Sequence, residues 1–228
     1  MRFLILTGQN SDIPISSKSI TIIDSGLNSY TFTLWSCKMK KDLDLGWFDL
    51  KKALQGTDKK ELINIIRDLY RYSEENRRYL LARSIDTNAE PGILEAYREV
   101  IKNEFFPEKG IGELRYSVAE KAISDYSKAS GNFAGTMELM LFYVENGVEF
   151  TSEYGDIDEE FYQEIYSAFE EFCTRLETPE GKTLYAGFRE RLLKIRRKTK
   201  GMAWGFGDGI KLRVKEIENF FEDVQSDL

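Results

Sequence analysis

Seven carboxylates crowd sixteen consecutive residues: Glu145, Glu149, Glu153, Asp156, Asp158, Glu159 and Glu160. Oxygen ligands of this kind suit hard cations such as Mg²⁺ and Ca²⁺. Glu149, Glu153, Asp156 and Asp158 are the set that a metal-dependent hydrolase or a phosphotransfer accessory would use. The spacing is not that of an EF-hand, whose loop glycine and closing glutamate fall elsewhere. The same residues also read as helix-end residues. Asp156 or Asp158 would cap a helix that begins near Glu159, and the following glutamates suit its positive N-terminus. Gly155 supplies a turn conformation that other residues resist. Capping is routine and is the first reading, so no metal and no cofactor is expected. The surrounding stretch, Tyr143 to Tyr162 (YVENGVEFTSEYGDIDEEFY), mixes acids with aromatics in what reads as a break between two helices. Loops of that character are where binding residues tend to sit.

A second break lies at Gly201–Gly209 (GMAWGFGDG). Glycines there can expose backbone N–H groups at the start of the next helix, a ready place for an anion. The plainer reading is a glycine-rich turn with Trp204 and Phe206 plugging the core. Just before it, Arg189 to Lys200 (RERLLKIRRKTK) carries a strong positive excess. A basic helix face can track phosphates, so a nucleic-acid-associated role is one alternative. Pairing with the acidic helix upstream, Asp158–Glu171, is favoured over it, because the net charge of −7 repels a phosphate backbone. Gly181-Lys182-Thr183 has the ending of a phosphate-binding loop, but Leu176 stands where the first glycine is needed and a helix rather than a strand precedes it.

Other chemistry is excluded outright. The chain has no histidine, so the commonest general base and metal ligand are both missing and no Ser–His or Cys–His pair can form. Cys37 and Cys173 are too few for a disulfide framework, which points to a reducing, cytoplasmic setting. The apolar run Phe3 to Leu6 is too short for a signal peptide, and no later run is long enough to span a membrane.

The elements that must position these residues are helical. Apolar residues recur at helical spacing in Leu62, Ile65, Ile66 and Leu69 behind a capping box at Asp58 and Glu61, and in Leu94, Tyr97, Ile101 and Phe105, which Pro107 ends. Leu114, Val118, Ala122 and Tyr126 follow. Asn132 is an N-cap for Phe133, Met137, Met140, Leu141 and Val144. Phe161, Ile165, Phe169, Phe172 and Leu176 form the strongest stripe. Leu184, Phe188, Leu192 and Ile195 make another, and Ile210, Val214, Ile217 and Phe221 the last. Each stripe is one-sided, which predicts amphipathic helices around a shared core. Residues 1–38 differ: three β-like runs, Phe3–Thr7, Ser19–Asp24 and Tyr30–Trp35, are separated by Ser, Asn and Gly. The expected fold is all-α, a multi-helix bundle or helix-hairpin array of eight or nine helices with a small β-like or irregular N-terminal appendage. Residues 1–38 are read as an extension and residues 39–228 as the helical domain.

Three blocks carry a resemblance: Asn103-Glu-Phe-Phe-Pro107, the segment Tyr143–Tyr162, and Gly201-Met-Ala-Trp-Gly-Phe-Gly-Asp208. Together they resemble a family of uncharacterised, all-helical microbial proteins defined only as a domain of unknown function, over roughly Met39 to the C-terminus. The resemblance implies a helical fold and no particular activity. It also implies a histidine just before the aspartate of the third block, where this chain has Gly207.

The leading functional expectation is a noncatalytic interaction or ligand-binding protein. Its partner is a protein or a small ligand, with nucleic acid disfavoured and no membrane involved. Antiparallel hairpins bring alternate loops to one end. Tyr154, Asp156, Trp204 and Asp208 are therefore expected on one surface, with Glu149, Glu153 and Asp158 nearby. A chain beginning at Met39 is expected to keep near-full helical content and one cooperative melt by circular dichroism; loss of that transition would show that the β-like runs complete the core.

Overall fold

The computed structural model describes the backbone of residues 18–23, 29–34 and 46–226, with the side chains of 46–222. The chain divides into two units, residues 1–62 and 63–228. In the first, β1 (Lys18–Ile23) and β2 (Ser29–Leu34) pair antiparallel, from Lys18 opposite Leu34 to Ile23 opposite Ser29. These match the second and third β-like runs; Phe3–Thr7 lies outside the described residues. Helix α1 (Trp47–Gln55) follows, and α2 (Lys59–Tyr72) crosses the division. The Asp58 carboxylate accepts hydrogen bonds from the N–H groups of Lys60 and Glu61, as the capping pattern requires.

The second unit is helical throughout its described residues. It comprises α3 (Glu74–Ser84), α4 (Pro91–Phe105), α5 (Tyr116–Ser130), α6 (Phe133–Tyr154), α7 (Glu159–Leu176), the short α8 (Pro179–Lys182), α9 (Tyr185–Lys198) and α10 (Phe206–Ser226). Side chains placed at the helix starts set the boundaries. Ser73, Asn132, Asp158 and Thr178 each accept from the backbone N–H three residues on. Pro91 opens α4, where its missing N–H costs nothing. Ten helices among the described residues exceed the eight or nine expected, the four-residue α8 among them.

Helix α6 is the axis. It is apolar nearly all round, and Met137, Leu139, Leu141, Tyr143, Val144 and Phe150 are buried. Helices α4, α5, α7 and α9 pack around it. Its close seat on α7 depends on Gly147: a Cβ there would come within 2.5 Å of the Ile165 side chain. The α7 stripe of Phe161, Ile165, Phe169, Phe172 and Leu176 is buried as its spacing predicts.

Three expectations need correction. The stretch Tyr143–Tyr162 is mostly helix, since α6 runs through Tyr154 and only residues 155–158 break it. Apolar character on every side keeps α6 wound past Gly147 because it stays packed. Leu114 precedes α5 in the left-handed conformation (φ 53°) instead of joining its stripe. That turn is held by the buried Glu104 carboxylate, which accepts from the backbone and guanidinium of Arg115. Finally, α2 forms, yet Ile65, Ile66 and Leu69 are 37, 49 and 48% exposed. Periodicity says which residues share a face; it does not say that anything covers it.

Phe169 is fully buried beneath α6 and α10. Phe169→Ala should cost roughly 3–5 kcal/mol in chemical denaturation; a change below about 0.5 kcal/mol would place the ring at the surface.

Candidate functional site

Helices α4, α6 and α9 end where α5, α7 and α10 begin, so three chain reversals share one end of the bundle. Aromatic contacts tie them together. Phe106 stacks on Tyr154 with ring centroids 6.4 Å apart, Tyr116 meets Phe161 at 6.3 Å, and Tyr162 meets Phe206 at 5.1 Å. The arrangement follows from alternating helix directions about α6.

The acidic residues at this end are engaged individually. Asp158 caps α7 through the Phe161 N–H at 2.8 Å. Asp156 accepts the Tyr162 hydroxyl at 2.6 Å. Burial, aided by that carboxylate, pushes the Tyr162 phenol up to about 12. Glu149 pairs with Lys198 of α9. Glu153 is exposed on the last turn of α6. Among the described residues no three acidic or cysteine side chains converge as a metal would need, so Glu149, Glu153, Asp156 and Asp158 do not assemble into a ligand set.

The glycine-rich segment divides its residues between two hollows. On one side of α10's first turn, Trp204 and Phe206 join Tyr162 and Tyr166 around a cavity of about 310 Å³. Phe206 is buried, as expected of a core plug, but Trp204 is 61% exposed with φ 57°, a left-handed conformation rare outside glycine. The expectation that both aromatics fill the core is therefore half wrong. The turn through Gly201 and Gly205 sends the Trp204 ring outward. On the other side, Gly207 and Asp208 join Arg196, Arg197, Lys200, Lys211 and Lys215 around a hollow of about 570 Å³. Thus Asp156, through Tyr162, is linked to the Trp204 cavity, while Asp208 faces the basic one. Gly207 sits against the end of α9. A Cβ there would lie 2.2 Å from the Thr199 carbonyl oxygen, so no side chain fits without moving the end of α9.

The basic run separates by face. Arg191 binds Glu138 and Glu145, Lys198 binds Glu149, and Arg189 and Arg196 approach Glu218. The pairing is intramolecular, but its partners lie on α6 and α10. The α7 acids Glu170 and Glu177 bind Arg213 of α10 instead. Neighbours in sequence are not the neighbours that packing chose. Arg197 and Lys200, with Lys211 and Lys215, have no ion-pair or hydrogen-bond partner among the described residues. The sequence reading missed Lys211 and Lys215. Their one-turn spacing was the available signal, but only the α9–α10 hairpin sets them beside Arg197 and Lys200.

A family model described as a family of unknown function (DUF6155) matches residues 45–218. No curated protein and no solved structure matches the chain.

Because a left-handed non-glycine residue costs about 1 kcal/mol or more, Trp204→Gly should leave stability unchanged or raise it. Phe206→Ala should lower it by roughly 3 kcal/mol or more. Urea denaturation of the two variants checks this. A loss above about 1 kcal/mol for Trp204→Gly would show that its ring is a packing residue.

Proposed function

The chain belongs to DUF6155, a family of unknown function, and we propose that this member works by binding rather than by catalysis, holding a small phosphate-bearing ligand in the hollow between α9 and α10. One observation carries the reading. In a chain of net charge −7, four cations without partners among the described residues, Arg197, Lys200, Lys211 and Lys215, surround one concavity. Gly207 and Asp208 bring the positive end of α10 to the same place, which adds to the field on an anion. Of the charged residues on that lining only Asp208 is negative, so the net charge there is positive and favours an anion.

A small ligand fits better than a nucleic acid. Exposed Glu153, Asp156 and Glu159 lie at the same end of the bundle and would repel an extended phosphate backbone. Catalysis is disfavoured because histidine is absent and the nearby carboxylates are taken up by caps and ion pairs. A cytoplasmic setting belongs to the same reading and is supported by Cys173, a buried free thiol. No helix among the described residues is long and apolar enough to cross a membrane. A second reading, a protein partner that inserts a side chain beside Trp204, is favoured by the exposed indole at the rim of an aromatic cavity.

Calorimetric titration with inorganic pyrophosphate tests the first reading. Binding is expected at low salt, weakening as salt rises. Affinity should fall about tenfold in Lys211→Ala or Lys215→Ala, the loss of one charge-assisted contact. Absence of binding at millimolar pyrophosphate, or affinity unchanged from the parent protein in both variants, would sink it.

A further inference from the structure

The aromatic hollow beside α10, of about 310 Å³, has the size of a small ligand pocket, the usual range being roughly 300–1,000 Å³. Two of its rings are open to solvent. Trp204 is largely exposed and meets no other ring among the described residues, and Tyr166 is half-buried. Tyr162 and Phe206 are nearly buried and close the floor, their ring centroids 5.1 Å apart. Tyr166 is fixed in place: its hydroxyl donates to Glu170 at 2.6 Å, and its ring edge rests on Gly209, where a Cβ would lie 2.8 Å from Cε2. Trp204 is different. It holds a left-handed backbone that a non-glycine residue adopts at a cost, yet it buries little of its ring, so packing does not repay the strain. Strain of this kind gathers at ligand clamps.

The one charged residue on this lining is acidic. Glu159 is exposed and has no ion-pair partner among the described residues; Gln163 donates to one of its carboxylate oxygens at 3.0 Å. Helices α7 and α10 both start here, and their positive ends, about +0.5 each, would favour an anion. Full negative charges outweigh them: Asp158 caps α7, Glu159 and Glu160 stand in its first turn, and Asp208 stands in that of α10. The unpaired cations of the α9–α10 hollow lie on the other side of that turn. Ring faces are electron-rich, and indole is the best of them at attracting a cation. A bare ammonium would give up water for a single carboxylate. A fully methylated one has no N–H to satisfy, and its methyl groups pack on rings while its charge remains.

We propose that this hollow binds a small quaternary ammonium ion, its methyl groups lying between the Trp204 and Tyr166 rings and its charge beside the Glu159 carboxylate. The left-handed turn at Trp204 holds the indole at the opening, where it completes the set of rings around the guest. A carboxylate on the ligand would meet Glu159, so a cationic alcohol binds better than a zwitterion of the same size. The site is separate from the α9–α10 hollow and does not depend on the phosphate reading.

Three probes titrated calorimetrically into the full-length protein decide the matter: choline, glycine betaine, and 3,3-dimethylbutan-1-ol, which has the shape of choline without its charge. Saturable binding of choline is expected, with betaine and the neutral alcohol each about tenfold weaker. Trp204→Gly, whose melting temperature should not fall, should weaken choline about tenfold and bring it level with the alcohol. Glu159→Gln should weaken choline up to about fivefold, as the loss of one exposed charge pair. The comparison of probes in the parent protein stands even if a variant fails to fold. Binding of the alcohol as tight as that of choline would reveal an apolar pocket of the kind a protein side chain fills, and would overturn the proposal. So would unchanged choline affinity in both variants, or no choline binding at millimolar concentration.

Discussion

Everything in the second unit answers to the burial of α6. A helix apolar nearly all round cannot rest on a single neighbour; it needs partners around most of its circumference. Four helices supply them, and their order round α6 fixes the rest of the layout. Since neighbours in the hairpins alternate in direction, α4, α6 and α9 must finish at one end. The three reversals meet there because of the core, with no requirement that the loops attract one another. Gly147 sets how near α7 can come, and the depth at which Phe161, Ile165 and Phe169 sit follows from it.

Charge is arranged around that axis in the same way. Glu138, Glu145 and Glu149 lie along α6 and draw in Arg98 of α4 and Arg191 and Lys198 of α9. The arginine pairs are partly buried, so they are screened less than surface pairs, and each Arg–carboxylate fork also orients its helix. Their effect on α9 is to sort its cations. The face toward α6 is neutralised, and Arg196 is held by Glu218 of α10. Arg197 of α9 and Lys200 just beyond it line the hollow beside α10. One stretch of sequence thus serves as both adhesive and field source, according to the face.

The hollows on the bundle differ in construction. The basic one is open and made of long, flexible lysines and arginines at a helix start, a form suited to a compact anion. The groove between α5 and α7 has α6 as its floor and small side chains in its walls. The aromatic cavity at Trp204 is a third type, with a large ring presented by a left-handed backbone.

Local chemistry was readable from the residues alone. The caps at Asn132 and Asp158, the stop at Pro107, and the stripes of α4, α7 and α10 depend on spacing and on side chains reaching their own backbone, and sequence contains both. The helical class rested on these, and the likeness to a family of unknown function on the blocks at 103–107, 143–162 and 201–208; both stand. Matters of distance in space were not readable. Ile65, Ile66 and Leu69 have the periodicity of a core stripe yet lie largely exposed, because burial is a property of two surfaces and the sequence shows one. Glu149 looked like a possible ligand until packing placed Lys198 beside it. Trp204 looked like a core residue, but the backbone turn at Gly201 and Gly205 turned it outward. The cluster of Arg197, Lys200, Lys211 and Lys215, unpaired among the described residues, exists only once the helices are assembled. Sequence determined which helices form and which faces are apolar, since those are short-range preferences. Only the tertiary structure decided which charges meet and which polar groups are left without partners, since those depend on contacts between residues far apart in the chain.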